Sequence, residues 1–88
     1  MFQFKPSDRI LDLGCGDGLD IQLLRDYGCT NMVGVDISTK LLHAARKRNP
    51  GIRFFRASAV TLPFPDATFD IVLIDSMLYH IEEDIPSR

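Results

Sequence analysis

Three glycines within residues 14–18 separate a short apolar run from a segment with helical spacing. The run before them, residues 9–13, has the length and the glycine boundary of a buried strand. After them Leu19, Leu23 and Tyr27 recur every four residues, which predicts a helix that ends before the next glycine. A helical bundle does not explain glycines packed between a strand and a helix, so the chain is predicted to open with a β–α unit.

The same alternation continues along the chain and predicts an α/β fold with a parallel sheet and covering helices. Ser38 is a good N-cap for a second helix, which Asn49-Pro50-Gly51 ends. Further strands are predicted at residues 31–36, 52–56 and 69–74, and a further helix is predicted to start within residues 77–81.

Composition excludes several classes of protein. Eighty-eight residues make one domain, 1–88, and a net charge of −2 provides no basic face for nucleic acid. No apolar run reaches the roughly 20 residues of a membrane helix, and the first residues lack the build of a signal peptide. Cys15 and Cys29 are too few for a disulfide scaffold or a zinc site. We therefore expect a reduced, cytoplasmic protein with no metal and no membrane partner.

The glycine loop and the acids near it favour a cationic ligand. Leu19 stands where the dinucleotide fingerprint Gly-x-Gly-x-x-Gly requires glycine, and no P-loop lysine follows. Asp36 closes the second strand, where a carboxylate can accept hydrogen bonds from two ribose hydroxyls. Asp12 lies inside the first strand and needs a partner, either a ligand or the backbone amides of its own loop. The alternative for the loop is a tight strand-to-helix turn.

These motifs together resemble those of a known family. Residues 10–18 resemble the first motif of class I S-adenosylmethionine-dependent methyltransferases, and residues 33–38 resemble the motif with the ribose-binding acid. Residues 62–66 and 69–72 resemble the later stretch of the small-molecule branch. The resemblance implies a Rossmann-like three-layer sandwich with a partial parallel sheet of order 3-2-1-4. It also implies an enzyme that transfers a methyl group from S-adenosylmethionine to an unidentified small-molecule acceptor.

The resemblance also assigns cofactor contacts. It implies that Asp12 serves the methionyl ammonium, that the backbone of Gly14, Cys15 and Gly16 lines the methionyl part, and that Asp36 holds the ribose.

The adenine side of the site departs from the family pattern. Ile37 is expected to pack on the adenine face, and Ser58 and Ala59 stand where the family contacts the adenine edge. An Asp is usual at the position of Ser58, so a hydrogen bond to the adenine amino group would lack charge assistance here.

Two residues near the end of the fourth strand keep two interpretations each. Asp75 is placed to reach the methionyl ammonium, or it caps the segment that follows. His80 falls where some relatives carry a histidine near the active site, or it packs beside Tyr79. No catalytic residue is identified.

The chain supplies fewer strands than the family's sheet contains. It is therefore expected to be the cofactor-binding part of a methyltransferase. A catalytically inactive binding or assembly module is the alternative, and a dehydrogenase fragment is least favoured because the dinucleotide fingerprint is missing. The fourth strand would lie at an open edge, which predicts a homo-oligomer, most simply a two-fold dimer joined along that strand. Alternatively, residues 77–85 fold back and cover the edge.

Overall fold

The computed structural model describes residues 5–58 and 69–80. In chain order, the elements are β1 (Ile10–Leu13), α1 (Leu19–Asp26), β2 (Met32–Asp36), α2 (Thr39–Arg48), β3 (Arg53–Arg56), β4 (Ile71–Ile74) and β5 (Met77–His80). The predicted strand–helix alternation is confirmed from β1 to β4. Residues 59–68, which include Ala59 and the whole proline-containing motif at residues 62–66, lie outside the described ranges.

The strands form one sheet in the order β3-β2-β1-β4-β5, in which β3, β2, β1 and β4 run parallel. This arrangement confirms the α/β fold and the predicted order 3-2-1-4. Asp12 of β1 is paired with Gly34 on one side and with Leu73 on the other. The carboxyl ends of the parallel strands meet at one edge, which is where open α/β sheets bind ligands.

Both helices pack on the same face of the sheet. Ile21, Leu42 and Ala45 of the helices share one buried cluster with residues from β1 to β4. The opposite face carries a smaller cluster that includes Leu11 and Val35, and no helix covers it within residues 5–58 and 69–80. The described part of the chain therefore contains two of the three predicted layers.

The two helices begin as the sequence predicts. The hydroxyl of Ser38 accepts a hydrogen bond from the N–H of Leu41 at 3.1 Å, which caps α2. In α1, the four-residue repeat locates the helix but does not mark its buried side, because Leu19 and Leu23 are exposed. Ile21 is the buried residue of α1, and Leu24 packs against the same core cluster.

The predicted helix within residues 77–81 is wrong, because Met77–His80 is a strand that pairs antiparallel with β4. The turn consists of Asp75 and Ser76, which have φ angles of 52° and 63°. Positive φ at both central residues is the geometry of a two-residue hairpin whose twist matches the strands. Pairing in this hairpin satisfies the backbone groups on the free side of β4, which a single helical turn would leave open.

The hairpin also contradicts the reason for predicting a homo-oligomer, which was an open edge at β4. β4 is not an edge strand, since β5 occupies the side where a second copy was expected to pair. The alternative, in which the chain folds back over β4, is the one that the structure contains for Met77–His80. A dimer joined along β4 is therefore not supported.

Candidate functional site

The first half of the glycine loop is held by the end of β2. The N–H groups of Gly14 and Cys15 both donate to the carbonyl oxygen of Val35, at 2.8 and 3.0 Å. The N–H of Gly16 donates to Oδ2 of Asp36 at 2.8 Å. Gly14 and Gly16 have φ angles of 73° and 58°, which a side chain would strain. These glycines allow the loop to turn sharply from β1 toward α1 while staying against β2.

Asp36 joins three parts of the site. Its Oδ2 holds Gly16, and its Oδ1 accepts the N–H of Ser38 at 2.8 Å, which orders the start of α2. A carboxylate offers about four acceptor positions, so each oxygen retains capacity for a further donor. The residue is half-buried at the end of β2 and faces a cavity. It can therefore bind donors from a ligand without releasing the loop.

A cavity of about 380 Å³ opens at the carboxyl ends of the strands. It is lined by residues from the glycine loop, from the ends of β1, β2 and β4, and from the segments that follow β2, β3 and β4: Leu13, Gly14, Val35, Asp36, Ile37, Ala57, Ser58, Ile74 and Asp75. Its volume is in the range of small-molecule sites. Ile37 is 63% exposed and provides an apolar surface at the cavity. Such a lining suits a ligand with one apolar ring and several polar groups.

A second cavity of about 390 Å³ lies at the opposite end of the sheet. Arg9 and Arg53 are among its lining residues, but Arg9 is already engaged in a two-pronged pair with the carboxylate of Asp70. The hydrogen bonds from Arg9 lower the pKa of Asp70 to about 2. Ligands of open parallel sheets bind at the carboxyl ends of the strands, so the cavity beside Asp36 is the candidate site.

Asp12 is a buried acid behind the glycine loop. It is only 2% exposed, and its Oδ2 has no hydrogen-bond partner among the described residues. Burial, and then the nearby charges of Asp20 and Asp36, raise the pKa of Asp12 from 3.8 to about 7. The loop amides that were expected as alternative partners donate instead to Val35 and Asp36. Asp12 therefore provides an unpaired acceptor that a cationic group could satisfy.

Cys15 does not have the properties of a nucleophile. Burial, followed by the charges of Asp12 and Asp36, raises the pKa of its thiol to about 12. Its Sγ lies 3.7 Å from the carbonyl oxygen of Gly16, to which the thiol donates. A thiol that stays protonated is a poor nucleophile.

The structure brings together most of the predicted cofactor contacts. Gly14, Asp36, Ile37, Ser58 and Asp75 line one cavity. Asp12, Cys15 and Gly16 are not in its lining, although in the chain they flank the lining residues Leu13 and Gly14.

Of the two residues singled out near the end of the fourth strand, Asp75 differs from one of its two interpretations. Asp75 occupies a hairpin turn and not a helix cap, and the hydroxyl of Ser76 beside it donates to Oδ2 of Asp20 at 2.7 Å. Ala59 lies outside the described residues, as does the side chain of His80.

Sequence reasoning missed the apolar lining of the cavity. Leu13, Val35 and Ile74 are the residues in question at the strand ends, and Ala57 directly follows β3. Their position at the carboxyl ends of predicted strands is the signal that could have identified them.

Within residues 5–58 and 69–80, no group of three or more His, Cys, Asp or Glu residues is arranged to hold a metal ion. Neither helix in this part of the chain has the length and apolar character needed to cross a membrane.

Comparison with known proteins gives consistent matches. The profile of a family described as "Methyltransferase domain" matches residues 10–87. The chain is 40% identical over 90 residues to a 2-phytyl-1,4-naphtoquinone methyltransferase of Nostoc sp., a match that covers 93% of this chain and 39% of that protein. It is 34% identical over 87 residues to an eEF1A lysine and N-terminal methyltransferase of Mus musculus, covering 90% of this chain and 12% of that protein.

A solved structure gives the same result. A SAM-bound amino pentose methyltransferase from Micromonospora echinaspora, involved in calicheamicin biosynthesis, matches with a TM-score of 0.67 and 30% identity. The match covers 80% of this chain and 29% of that one. The chain thus spans between 12% and 39% of the length of these relatives.

Proposed function

Because the chain belongs to the methyltransferase-domain family, we propose that it forms the S-adenosylmethionine-binding part of an enzyme that methylates a small-molecule acceptor. The observation that carries the proposal is Asp36, whose carboxylate holds the glycine loop and faces the cavity with acceptor capacity to spare. An acid in this position suits two neighbouring ribose hydroxyls, which are both donors.

The residues present fit S-adenosylmethionine better than a dinucleotide. The buried Oδ2 of Asp12 lacks a partner, and an ammonium is the kind of group that offsets the cost of such a charge. A Cβ at Gly14 or Gly16 would meet no atom within 4 Å, so the loop backbone has open space beside it. A pyrophosphate in that space would be repelled by Asp12 and Asp36.

These contacts indicate what the cofactor and the protein would each contribute to methyl transfer. When bound, S-adenosylmethionine supplies a methyl group that its sulfonium already activates. The residues of this chain bind and orient the donor: Asp36 holds the ribose, Ile37 covers the adenine, and Asp12 attracts the ammonium. Positioning of this kind is a large part of the acceleration of a two-substrate transfer. It needs no nucleophile, in agreement with the protonated thiol of Cys15.

Four finer assignments belong to the proposal. Ser58 lies in the cavity lining and would accept from, or donate to, the adenine edge. Asp75 lines the same cavity and would add negative charge near the ammonium. The match to a naphtoquinone methyltransferase supports a small-molecule acceptor. Cys15 and Cys29 are buried free thiols, which supports a cytoplasmic location.

The ribose assignment is tested by calorimetric titration of S-adenosylhomocysteine, the demethylated product, into the chain and into Asp36→Ala. We expect the variant to bind at least about tenfold more weakly, because charge-assisted hydrogen bonds are the stronger kind and the loop also loses its anchor.

The matched control is Asp26→Ala, which removes the same charge from an acid that is 62% exposed on α1. This control should bind like the unmodified chain. Equal affinity in Asp36→Ala and Asp26→Ala would remove Asp36 from the site.

A further inference from the structure

Asn49, at the end of α2, is fully buried although its side chain is a polar amide. Its Nδ2 donates to the carbonyl oxygen of Gly18 at 2.9 Å and to that of Ala45 at 3.4 Å. Its Oδ1 is buried and has no hydrogen-bond partner in the part of the chain that the structure describes. An unpaired buried oxygen destabilises the folded state, so packing alone does not account for an amide at this position.

The acceptor, Gly18, is the point at which the glycine loop becomes α1. Its carbonyl accepts the N–H of Gln22 at 3.0 Å, which starts the helix, and the Asn49 amide at the same time. A Cβ at Gly18 would lie 2.6 Å from Nδ2 of Asn49 and 3.1 Å from Cβ of Ala45. The end of α2 is therefore in direct contact with the loop, and glycine is needed at position 18 for that approach.

The two halves of the loop have different anchors. β2 holds the first half, through Val35 and Asp36 as described above. The last residues of α2 hold the second half, since Nε of Arg48 donates to the carbonyl oxygen of Asp17 at 3.2 Å, next to the bond from Asn49 to Gly18. Arg48 is exposed, whereas Asn49 is shielded from water, so water competes less with the Asn49 bond than with the Arg48 bond.

We propose that Asn49 is a positioning residue for the cofactor, acting through residues 16–18 of the loop. The inference rests on the proposed function, because the loop matters only if it contacts S-adenosylmethionine. Asn49 lines neither cavity and acts from behind the loop. In this arrangement Asp36 holds the residue before α2, and Asn49 after α2 holds Gly18, so the helix connects both sides of the site.

The test uses the whole 88-residue chain and two readouts, amide hydrogen exchange at residues 16–19 without ligand and calorimetric titration with S-adenosylhomocysteine. Asn49→Ala removes the donor, and Asn49→Val removes it while refilling part of the space. Ile71→Val is the control for lost stability, since Ile71 is fully buried at the amino end of β4, away from the loop.

In both Asn49 variants, the amide hydrogens of residues 16–19 should exchange at least about fivefold faster than in the unmodified chain. Both variants should also bind S-adenosylhomocysteine about five- to tenfold more weakly, which is the effect of losing one buried hydrogen bond. Ile71→Val should change neither quantity. The proposal would be overturned if the amide hydrogens of residues 16–19 exchange at the same rate in the Asn49 variants as in Ile71→Val. If the unmodified chain fails to bind, the proposed function fails, and the exchange comparison alone decides whether Asn49 positions the loop.

Discussion

At the scale of single residues, Asp12 is the group whose charge state the fold changes most within the site. Its pKa is raised to about 7, mainly because the carboxyl is buried and then because Asp20 and Asp36 are close. The folded protein therefore holds a proton that the unfolded chain releases near pH 4. Stability should fall as the pH rises from about 4 to about 7, since in this window the folded state binds more protons.

Replacing Asp12 with Asn is expected to remove this pH dependence. A pKa raised from 3.8 to about 7 corresponds to roughly 4 kcal/mol, so Asp12→Asn should unfold with a higher free energy than the unmodified chain at pH 8. At pH 4 the two proteins should be nearly equal. Urea unfolding at pH 4 and pH 8 measures the free energy of unfolding of both proteins. If the difference between the two proteins is the same at both pH values, Asp12 is not the titrating group.

At the scale of elements, the packing of β3 beside β2 depends on a glycine at position 34. An ideal Cβ at Gly34 would lie 2.6 Å from two ring carbons of Phe54 and 3.0 Å from Sγ of Cys15. The Phe54 ring is buried, so it has little space in which to move aside. Gly34 also pairs with Asp12, which places this contact next to the buried acid.

Gly34→Ala should therefore destabilise the protein by about 1–3 kcal/mol, the usual cost of overpacking a core. In a Phe54→Leu background the same substitution should cost less, because the ring that it meets is gone. Thermal or urea unfolding of the four proteins in this cycle gives the coupling. Equal costs in both backgrounds would contradict the steric account.

The elements also show what the sequence could and could not predict. β1 to β4 and both helices follow from periodicity and capping, as Ser38 illustrates, because these signals are local. β5 was predicted as a helix, since residues 77–80 are apolar in no clear period and their strand pairing is decided by the free side of β4. The glycine loop and Asp36 were identified from spacing. Asn49 was interpreted only as a helix terminator, because its contact with Gly18 joins residues 31 positions apart.

At the scale of the whole molecule, two consecutive β–α units build the candidate site at one edge of the sheet. The first unit supplies the glycine loop, and the second supplies Asp36 and the helix that braces the loop from behind. Asp36 and Asp75 place two carboxyl groups at this edge, and Asp12 adds a buried acceptor without a partner for its Oδ2 among the described residues. We therefore expect a ligand that combines a cation with a ribose and lacks phosphate.

Parallel calorimetric titrations of the chain with S-adenosylhomocysteine and with NAD test this claim most directly. Both ligands carry adenosine, but S-adenosylhomocysteine has an ammonium where NAD has a pyrophosphate. We expect saturable binding of one S-adenosylhomocysteine per chain and no measurable heat with NAD. Saturable NAD binding without S-adenosylhomocysteine binding would contradict it.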